Sequence, residues 1–567
     1  MTARSLELAI VERLARWESE RVAERLWAKD GSLWAASGKS DDELAAWLGW
    51  LDLPYDMRGK AAELEHLARN VRADGYARAA VLGMGGSSLA PELFSRVFGG
   101  PLGAPASGGH GMELRILDST HPDAVRGFRE WAESARTIFC VSSKSGSTTE
   151  PNAFHAAMAD FAPALDFIAI TDPGSSLAEL ARAQEFRAIV DGVPSVGGRY
   201  SALSAFGLTP AALHGVDVGG LLGSAVEMAD ACHRPATANP GLQLGATIGE
   251  AAAAGRDKLT IFTSPRLASF GDWAEQLVAE STGKAGKGII PVVGEPLRAA
   301  DAYGDDRCFV LMTLAVERDP ELDRLVDELE RRGQPVIRLQ LANSIEVGGE
   351  FVRWEVATAM AGMVLEIDPF DQPNVQESKD ATKALLEAFG RNGSLPTPPP
   401  LVAAPGLTAY ADPGVIGEEP VTVDGAVRAL LDRAEVGDYL ALLAYLPQDP
   451  ETEAGLQRIR AELGRRLGIA TTLGFGPRFL HSTGQLHKGG PDSGLDVQLT
   501  AETRSDLPIP GWKETFGTLV AAQALGDLQS LQRRDRRVLR LHFTDADSVV
   551  DHLSGLVRQA IPEPSAT

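Results

Sequence analysis

The sequence predicts an α/β protein with two doubly wound parallel sheets, a helical N-terminal segment and an additional C-terminal α/β region. Three observations carry this. From Arg78 onward, short apolar runs alternate with helical intervals, the texture of parallel strands joined by helical crossovers. The apolar run Ile138–Val141 feeds directly into S-S-K-S-G-S-T-T-E-P, a strand ending on a loop that opens a helix. The alternation restarts near Val218, and again beyond a Pro-, Ala- and Gly-rich stretch at residues 396–420 that reads as a linker or wrapping loop.

Taken in order, residues up to about Ala73 are expected to be helical, with Leu6, Ile10, Leu14 and Trp17 on one face and Leu64, Leu67 and Val71 on another. This is a packing or assembly element without chemistry of its own. A-A-V-L then runs into G-M-G-G-S-S and a helix. E-L-R-I-L-D, Ile138–Val141, F-I-A-I-T-D and R-A-I-V-D follow as strands. The glycine loop lacks the G-x-G-x-x-G spacing of a dinucleotide fingerprint. It suits a phosphate-facing turn in which Gly86 lets the backbone approach and Ser87 donates. In V-G-G-R-Y-S, Arg199 stands after two glycines, either as a surface residue or as a presented guanidinium.

The second unit has the strand K-L-T-I-F-T-S and a helix through W-A-E-Q-L-V-A-E-S-T-G-K. There Glu280 falls in the last turn, against the preference of the helix dipole for cations. C-F-V-L-M-T-L and P-V-I-R-L-Q-L continue the sheet. A long small-residue helix then leads to D-P-F-D-Q-P-N-V-Q-E-S-K and Lys379. Beyond the linker, Y-L-A-L-L-A-Y-L, T-T-L-G-F-G, L-D-V-Q-L-T and V-L-R-L-H-F read as strands. F-L-H-S-T-G-Q-L-H-K-G-G reads as a polar turn between two of them.

The loop after Val141 is the strongest chemical signal. Ser142, Ser143, Ser145, Ser147, Thr148 and Thr149 offer six hydroxyls where one N-cap needs one, and Lys144 adds a positive charge. With Pro151 at the expected first position of the helix, the loop is an anion site, most simply for a phosphate.

The totals narrow the partners. A chain of 567 residues with 44% hydrophobic and 23% charged residues is ordinary for a soluble protein of several domains. A net charge of −23 argues against nucleic acid and anionic membrane as partners, so an anionic substrate must be gripped locally. Cys140, Cys232 and Cys308 are too scattered for a metal or a disulfide framework, which suits a reducing cytoplasm. Glu7, Glu12 and Glu18 rule out a signal or transit peptide, and no run approaches the ~20 apolar residues of a membrane span.

Five segments in one order, V-L-G-M-G-G-S-S-L-A-P, V-S-S-K-S-G-S-T-T-E-P, V-G-G-R-Y-S, Q-L-V-A-E-S-T-G-K and F-D-Q-P-N-V-Q-E-S-K, resemble the phosphoglucose isomerases built from sugar isomerase (SIS) domains. The resemblance covers about residues 60–380, and its texture is similar to the isomerase half of bacterial transaldolase–isomerase fusion proteins. No stretch is long enough for the transaldolase barrel. Together with the texture of the chain, it divides the sequence into a helical segment at 1–75, SIS domains at 76–216 and 217–392, a linker at 393–420 and an α/β region at 421–567.

The roles that follow are implied by the resemblance. Ser87, Ser143, Lys144, Ser145 and Thr148 would bind phosphate. Glu280 would move the proton, Arg199 would stabilise the enediolate, and Lys379 would lie near the ring oxygen. Glu150 occupies an acidic position of the site. The family's ring-opening histidine normally precedes the final lysine and comes from the neighbouring subunit. Here His481, with Gln485 and Gly490, matches the H-x-x-x-Q-x-x-x-x-G spacing but follows Lys379. His487 is the rival, and either can be an ordinary turn residue. The implied activity interconverts glucose 6-phosphate and fructose 6-phosphate, with no metal or cofactor. A homodimer is implied if His481 acts across a subunit boundary. A dual phosphoglucose/phosphomannose isomerase, decided by the pocket near Thr282 or Gln372, is one alternative. A non-catalytic SIS module sensing sugar phosphate is the other, and the joint presence of Arg199, Glu280 and Lys379 argues against it.

Overall fold

The computed structural model describes residues 3–100, 111–416 and 422–561. Its first sheet is wholly parallel: β1 (Arg78–Leu82), β2 (Glu113–Leu117), β3 (Thr137–Ser142), β4 (Phe167–Thr171) and β5 (Ala188–Asp191), in the order β2-β1-β3-β4-β5. Every residue of β3 is buried, as expected of a strand covered by helices on both faces. The second sheet holds β6 (Lys258–Thr263), β7 (Ile290–Val293), β8 (Arg307–Leu314) and β9 (Val336–Leu341), parallel in the order β7-β6-β8-β9.

The third sheet comprises β10 (Val402–Ala404), β11 (Leu407–Tyr410), β12 (Tyr439–Tyr445), β13 (Ala470–Phe475), β14 (Gly494–Ala501) and β15 (Arg537–Phe543). Its order is β10-β11-β15-β14-β12-β13, and the four strands from β12 onward are parallel. All three sheets share one wiring: the first parallel strand lies inside, the second on one flank, the third and fourth on the other. Reversal of the winding opens a crevice at the strands' carboxyl ends, between β1 and β3 in the first sheet.

Three expectations are corrected. The 393–420 stretch is more than a linker: residues 402–410 form an antiparallel hairpin that extends the third sheet through β11 and β15, and only residues 417–421 lie outside the described residues. The polar turn between β13 and β14 is helical, with a short 3-10 turn at Arg478–His481 followed by the helix Gly484–Gly489. The helix after β3 begins at Thr149, so Pro151 is its third residue, still within the first turn where a missing N–H is harmless.

The N-terminal helices wrap the first two sheets. Trp17, Trp34 and Trp50 are buried, Trp34 Nε1 donates to the Ala359 carbonyl at 2.7 Å, and the Trp50 ring stacks on Tyr200 with centroids 5.1 Å apart. That stack supports the turn carrying Arg199. The second and third sheets meet at β7 and β13 through a buried ionic joint. Glu295 accepts from Arg307 Nη1 (3.0 Å), Arg298 Nη2 (2.5 Å) and the Thr471 amide (3.1 Å), while Arg460 donates to the Val293 and Gly294 carbonyls. The two guanidiniums outweigh burial and hold the Glu295 carboxyl below its ordinary range, so it sits there charged.

Candidate active site

A cavity of about 1100 Å³ opens at the carboxyl ends of β1 and β3, in the crevice the winding predicts. Its floor is two loops. After β1, Gly85 adopts φ +56°, open to glycine at little strain, and a Cβ on Gly86 would stand 1.9 Å from the Gly198 carbonyl oxygen. The two backbones therefore touch, which sets Ser87 beside the turn of Arg199.

After β3, the Ser143 hydroxyl donates to Thr148 Oγ1 (3.2 Å) and accepts from the Gly146 amide (3.2 Å), while Ser145 and Ser147 pair at 2.8 Å. Ser142 Oγ is buried without a partner. Thr148 is the N-cap of the following helix, yet its side chain makes no capping bond. The hydroxyls are organised around a concavity instead, as an anion site requires. Lys144 also lines the cavity; its ammonium lies 2.5 Å from Asp172 and 3.0 Å from the Pro194 carbonyl.

Across the cavity stands the largely buried helix Ala268–Thr282. Gln276 and Glu280, one turn apart, face the cavity from it. Glu280 is 3% exposed, and burial pushes its carboxyl up against the opposing charges of Arg199, His481, Lys284 and Lys379. Arg199 Nη1 lies 3.5 Å from Glu280 Oε2. The rest of the guanidinium fork is filled: Nε donates to Ser281 Oγ (2.8 Å), Nη1 to Gln372 Oε1 (2.9 Å), and Nη2 to the Pro369 (2.7 Å) and Asp371 (3.0 Å) carbonyls. Arg199 is thus a fixed positive charge beside a buried carboxyl poised to change protonation. Lys379, on the helix Pro373–Asn392, lines the opposite wall, and its charge reaches both Glu280 and Glu150.

His481 comes from the same chain. Its Nε2 lies 3.1 Å from Glu150 Oε1, and its carbonyl accepts from Gln276 Nε2 at 2.6 Å. Burial pushes Glu150 up, but the charge and hydrogen bond of His481, with Lys379 behind, hold it below the usual carboxylate range. One chain therefore brings a hydroxyl cradle, a buried Glu–Arg pair and a Glu–His pair into one cavity.

No family model matches the chain. Among curated relatives, the glucose-6-phosphate isomerase of Rubrobacter xylanophilus is 28% identical over 392 residues, 61% of this chain and 90% of that protein. That of Carboxydothermus hydrogenoformans is 28% identical over 415 residues, 61% of this chain and 86% of that one. A third, from Thermosynechococcus vestitus, is 36% identical over 214 residues, 36% and 39% of the two chains. Over more than half its length the chain is thus similar to proteins named glucose-6-phosphate isomerase. A hypothetical protein of Thermus thermophilus shares the fold at TM-score 0.55 and 22% identity, covering 68% of this chain and 99% of that one. So does a glucose-6-phosphate isomerase of Chlamydia trachomatis, at TM-score 0.51 and 16% identity, covering 67% and 86%.

The remaining expected residues divide cleanly. Gln485 lies behind the cavity. Its amide donates to the Gly283 carbonyl (2.9 Å) and Asn374 Oδ1 (2.7 Å), its carbonyl accepts from the Asn374 amide (2.9 Å), and it thereby ties the Glu280 helix to the Lys379 helix. His487 is excluded by place: it is buried against Tyr439 (3.0 Å) and Asp496, and burial drives its pKa down to about 3. Thr282 is buried and donates to the Val278 carbonyl, whereas Gln372 lines the cavity and holds Arg199. Sequence reasoning missed Gln276, which helical spacing from Glu280 could have revealed. It also missed Gln523, which reaches Glu150 from the helix Phe516–Gln532 and carries no local signal. Among the described residues, no group of acidic, His and Cys side chains could hold a metal, and no helix is long and apolar enough to cross a membrane.

Proposed function

We propose that the chain interconverts glucose 6-phosphate and fructose 6-phosphate by moving a proton between C1 and C2 of the open-chain sugar. The observation that carries this is the buried Glu280 carboxyl, paired with Arg199 and facing the same cavity as the hydroxyl cradle and His481. The curated relatives are named glucose-6-phosphate isomerases, which supports glucose 6-phosphate as one member of the pair. Ser87, Ser143, Ser145 and Thr148, with the helix N-terminus behind them, hold the phosphate and convert an encounter into a positioned reaction. His481, backed by Glu150, opens the ring, with Lys379 beside the ring oxygen. Glu280 takes the proton from C2, the C–H electron pair forms the C1–C2 double bond, and the C1=O pair moves onto O1 as negative charge, which Arg199 meets without reorganising. The O2 hydroxyl then gives its proton to O1, and the charge left on O2 forms the C2 carbonyl as the C1–C2 pair takes the proton back from Glu280 at C1.

The test is turnover of fructose 6-phosphate by the purified chain, read as glucose 6-phosphate, in chelator and without added metal. Glu280→Gln keeps the shape of the side chain and removes the base, so kcat should fall by about 10²–10⁴. Mannose 6-phosphate offered in parallel decides whether the activity is single or dual. Near wild-type turnover by Glu280→Gln would sink the assignment.

A further inference from the structure

Glu150 is shared. Its Oε1 lies 3.1 Å from His481 Nε2 and 2.7 Å from Gln523 Nε2, and Gln523 Oε1 in turn lies 2.7 Å from the Thr120 hydroxyl. Four elements meet there: the loop after β2, the first turn of the helix Thr149–Ala159, the turn after β13 and the helix Phe516–Gln532. Thr120, Gln523 and Glu150 are 0%, 2% and 6% exposed, so water does not satisfy them.

The donor–acceptor logic runs one way along this row. An ionised carboxylate only accepts, so both groups on Glu150 must donate. Gln523 must therefore turn its NH₂ to Glu150, which leaves its carbonyl at the other end. The Thr120 hydroxyl has a proton to give to that carbonyl. A flipped amide would set one carbonyl oxygen against a carboxylate in a buried site, and Thr120 would lose its acceptor. By the same rule His481 carries its proton on Nε2 when neutral, which leaves Nδ1 unprotonated. The Gln276 bond to the His481 carbonyl fixes the backbone of the ring from the other side.

We propose that Gln523, oriented by Thr120, is a positioning residue. It pins the Glu150 carboxylate so that His481 is held as the Nε2–H tautomer and exchanges the sugar's proton at Nδ1. The proposal rests on the reading that His481 opens the ring. It assigns a function to the C-terminal unit beyond supplying the histidine: the helix Phe516–Gln532 locks the histidine's partner.

The experiment combines kinetics with ¹⁵N spectra of histidine-labelled full-length protein, the His481 signals being identified by their loss in His481→Ala. In wild type, His481 should show one tautomer, protonated on Nε2. Gln523→Leu and the nearly isosteric Thr120→Val should give a mixed or reversed tautomer. They should also lower kcat on fructose 6-phosphate about tenfold or more, a fraction of the ~10²–10⁴ that a general acid supplies, with KM within about twofold. Thr120→Ser, which keeps the donor, should restore both readouts. An unchanged tautomer in Gln523→Leu overturns the proposal even if kcat falls, because the role is then only structural. A shifted tautomer with wild-type kcat overturns it too. If wild type fails to turn over the sugar phosphate, the isomerase reading fails by itself, and the ring-nitrogen spectra still decide what Gln523 holds.

Discussion

At the scale of single residues, the site works by placing one unchanging charge beside one changeable one. The contacts of Arg199 with Ser281, Gln372 and two carbonyls leave it a single orientation. Glu280, 3.5 Å away, is pushed up by burial and drawn back by that charge. Removing the charge while keeping the bulk therefore has a signed consequence. In Arg199→Met the Glu280 pKa rises further. Because the base must be ionised, the acid limb of the kcat/KM profile moves to higher pH. The plateau should fall by about 10²–10³, the loss of a preorganised donor to a developing oxyanion. A pH–rate profile of both proteins checks this, and an acid limb that stays put would mean that Glu280 is not the titrating base. Lys144 carries a partner into the same cavity: its ammonium lies 2.5 Å from Asp172 while the residue lines the hydroxyl cradle.

At the scale of elements, most strands were legible because a buried parallel strand tends to be a continuous apolar run, and the centres of β1, β3, β4, β8 and β12 are such runs. β7 was not, because Ile290–Val293 is four residues long and contains a proline. The hairpin at 402–410 was hidden in a Pro- and Gly-rich stretch whose strands gain order only from β15. The cavity residues on the helix Ala268–Thr282 were legible through Glu280, whereas Gln523 reaches Glu150 across 373 positions, which no periodicity encodes. The helix Val347–Leu365 was legible as a small-residue helix, but its charge is unexpected. Glu355 is 1% exposed with Oε1 unpartnered, and burial raises its pKa well above the ordinary value. A raised folded pKa means that the folded state binds the extra proton. The associated stability is full below the unfolded pKa and is lost as pH rises toward the folded one. Glu355→Gln removes that dependence. Its stability advantage over wild type should grow with pH from about 4.5 upward, at roughly 1.4 kcal/mol per unit until the folded pKa is reached. Thermal melts of both proteins between mildly acid and neutral pH measure the difference, and parallel curves would show that Glu355 folds already ionised.

At the scale of the whole molecule, the third sheet repeats the strand order of the second, and the two are clamped edge to edge by Glu295, Arg307, Arg298 and Arg460. Breaking such a joint would leave buried charge unpaired, so the third unit is held firmly against the second. That clamp fixes the turn after β13 and presents His481 to a cavity whose cradle belongs to the first sheet and whose buried carboxyl, Glu280, belongs to the second. The order of motifs along the chain, with the histidine behind Lys379, follows from this: the group is delivered from a third unit instead of from within the second. Every group assigned to the reaction then lies in one chain, whatever the number of copies that associate. Mixing two inactive variants tests the point. If each site is complete within its own chain, Glu280→Gln and His481→Ala subunits, unfolded together and refolded as a mixture, give no more activity than the sum of the two alone. If the histidine is exchanged between copies, half of the dimers would be mixed and one of their two sites intact, restoring roughly a quarter of wild-type turnover. The first outcome is expected, because the hydrogen bonds of His481 to Glu150 and Gln276 are both made within the chain.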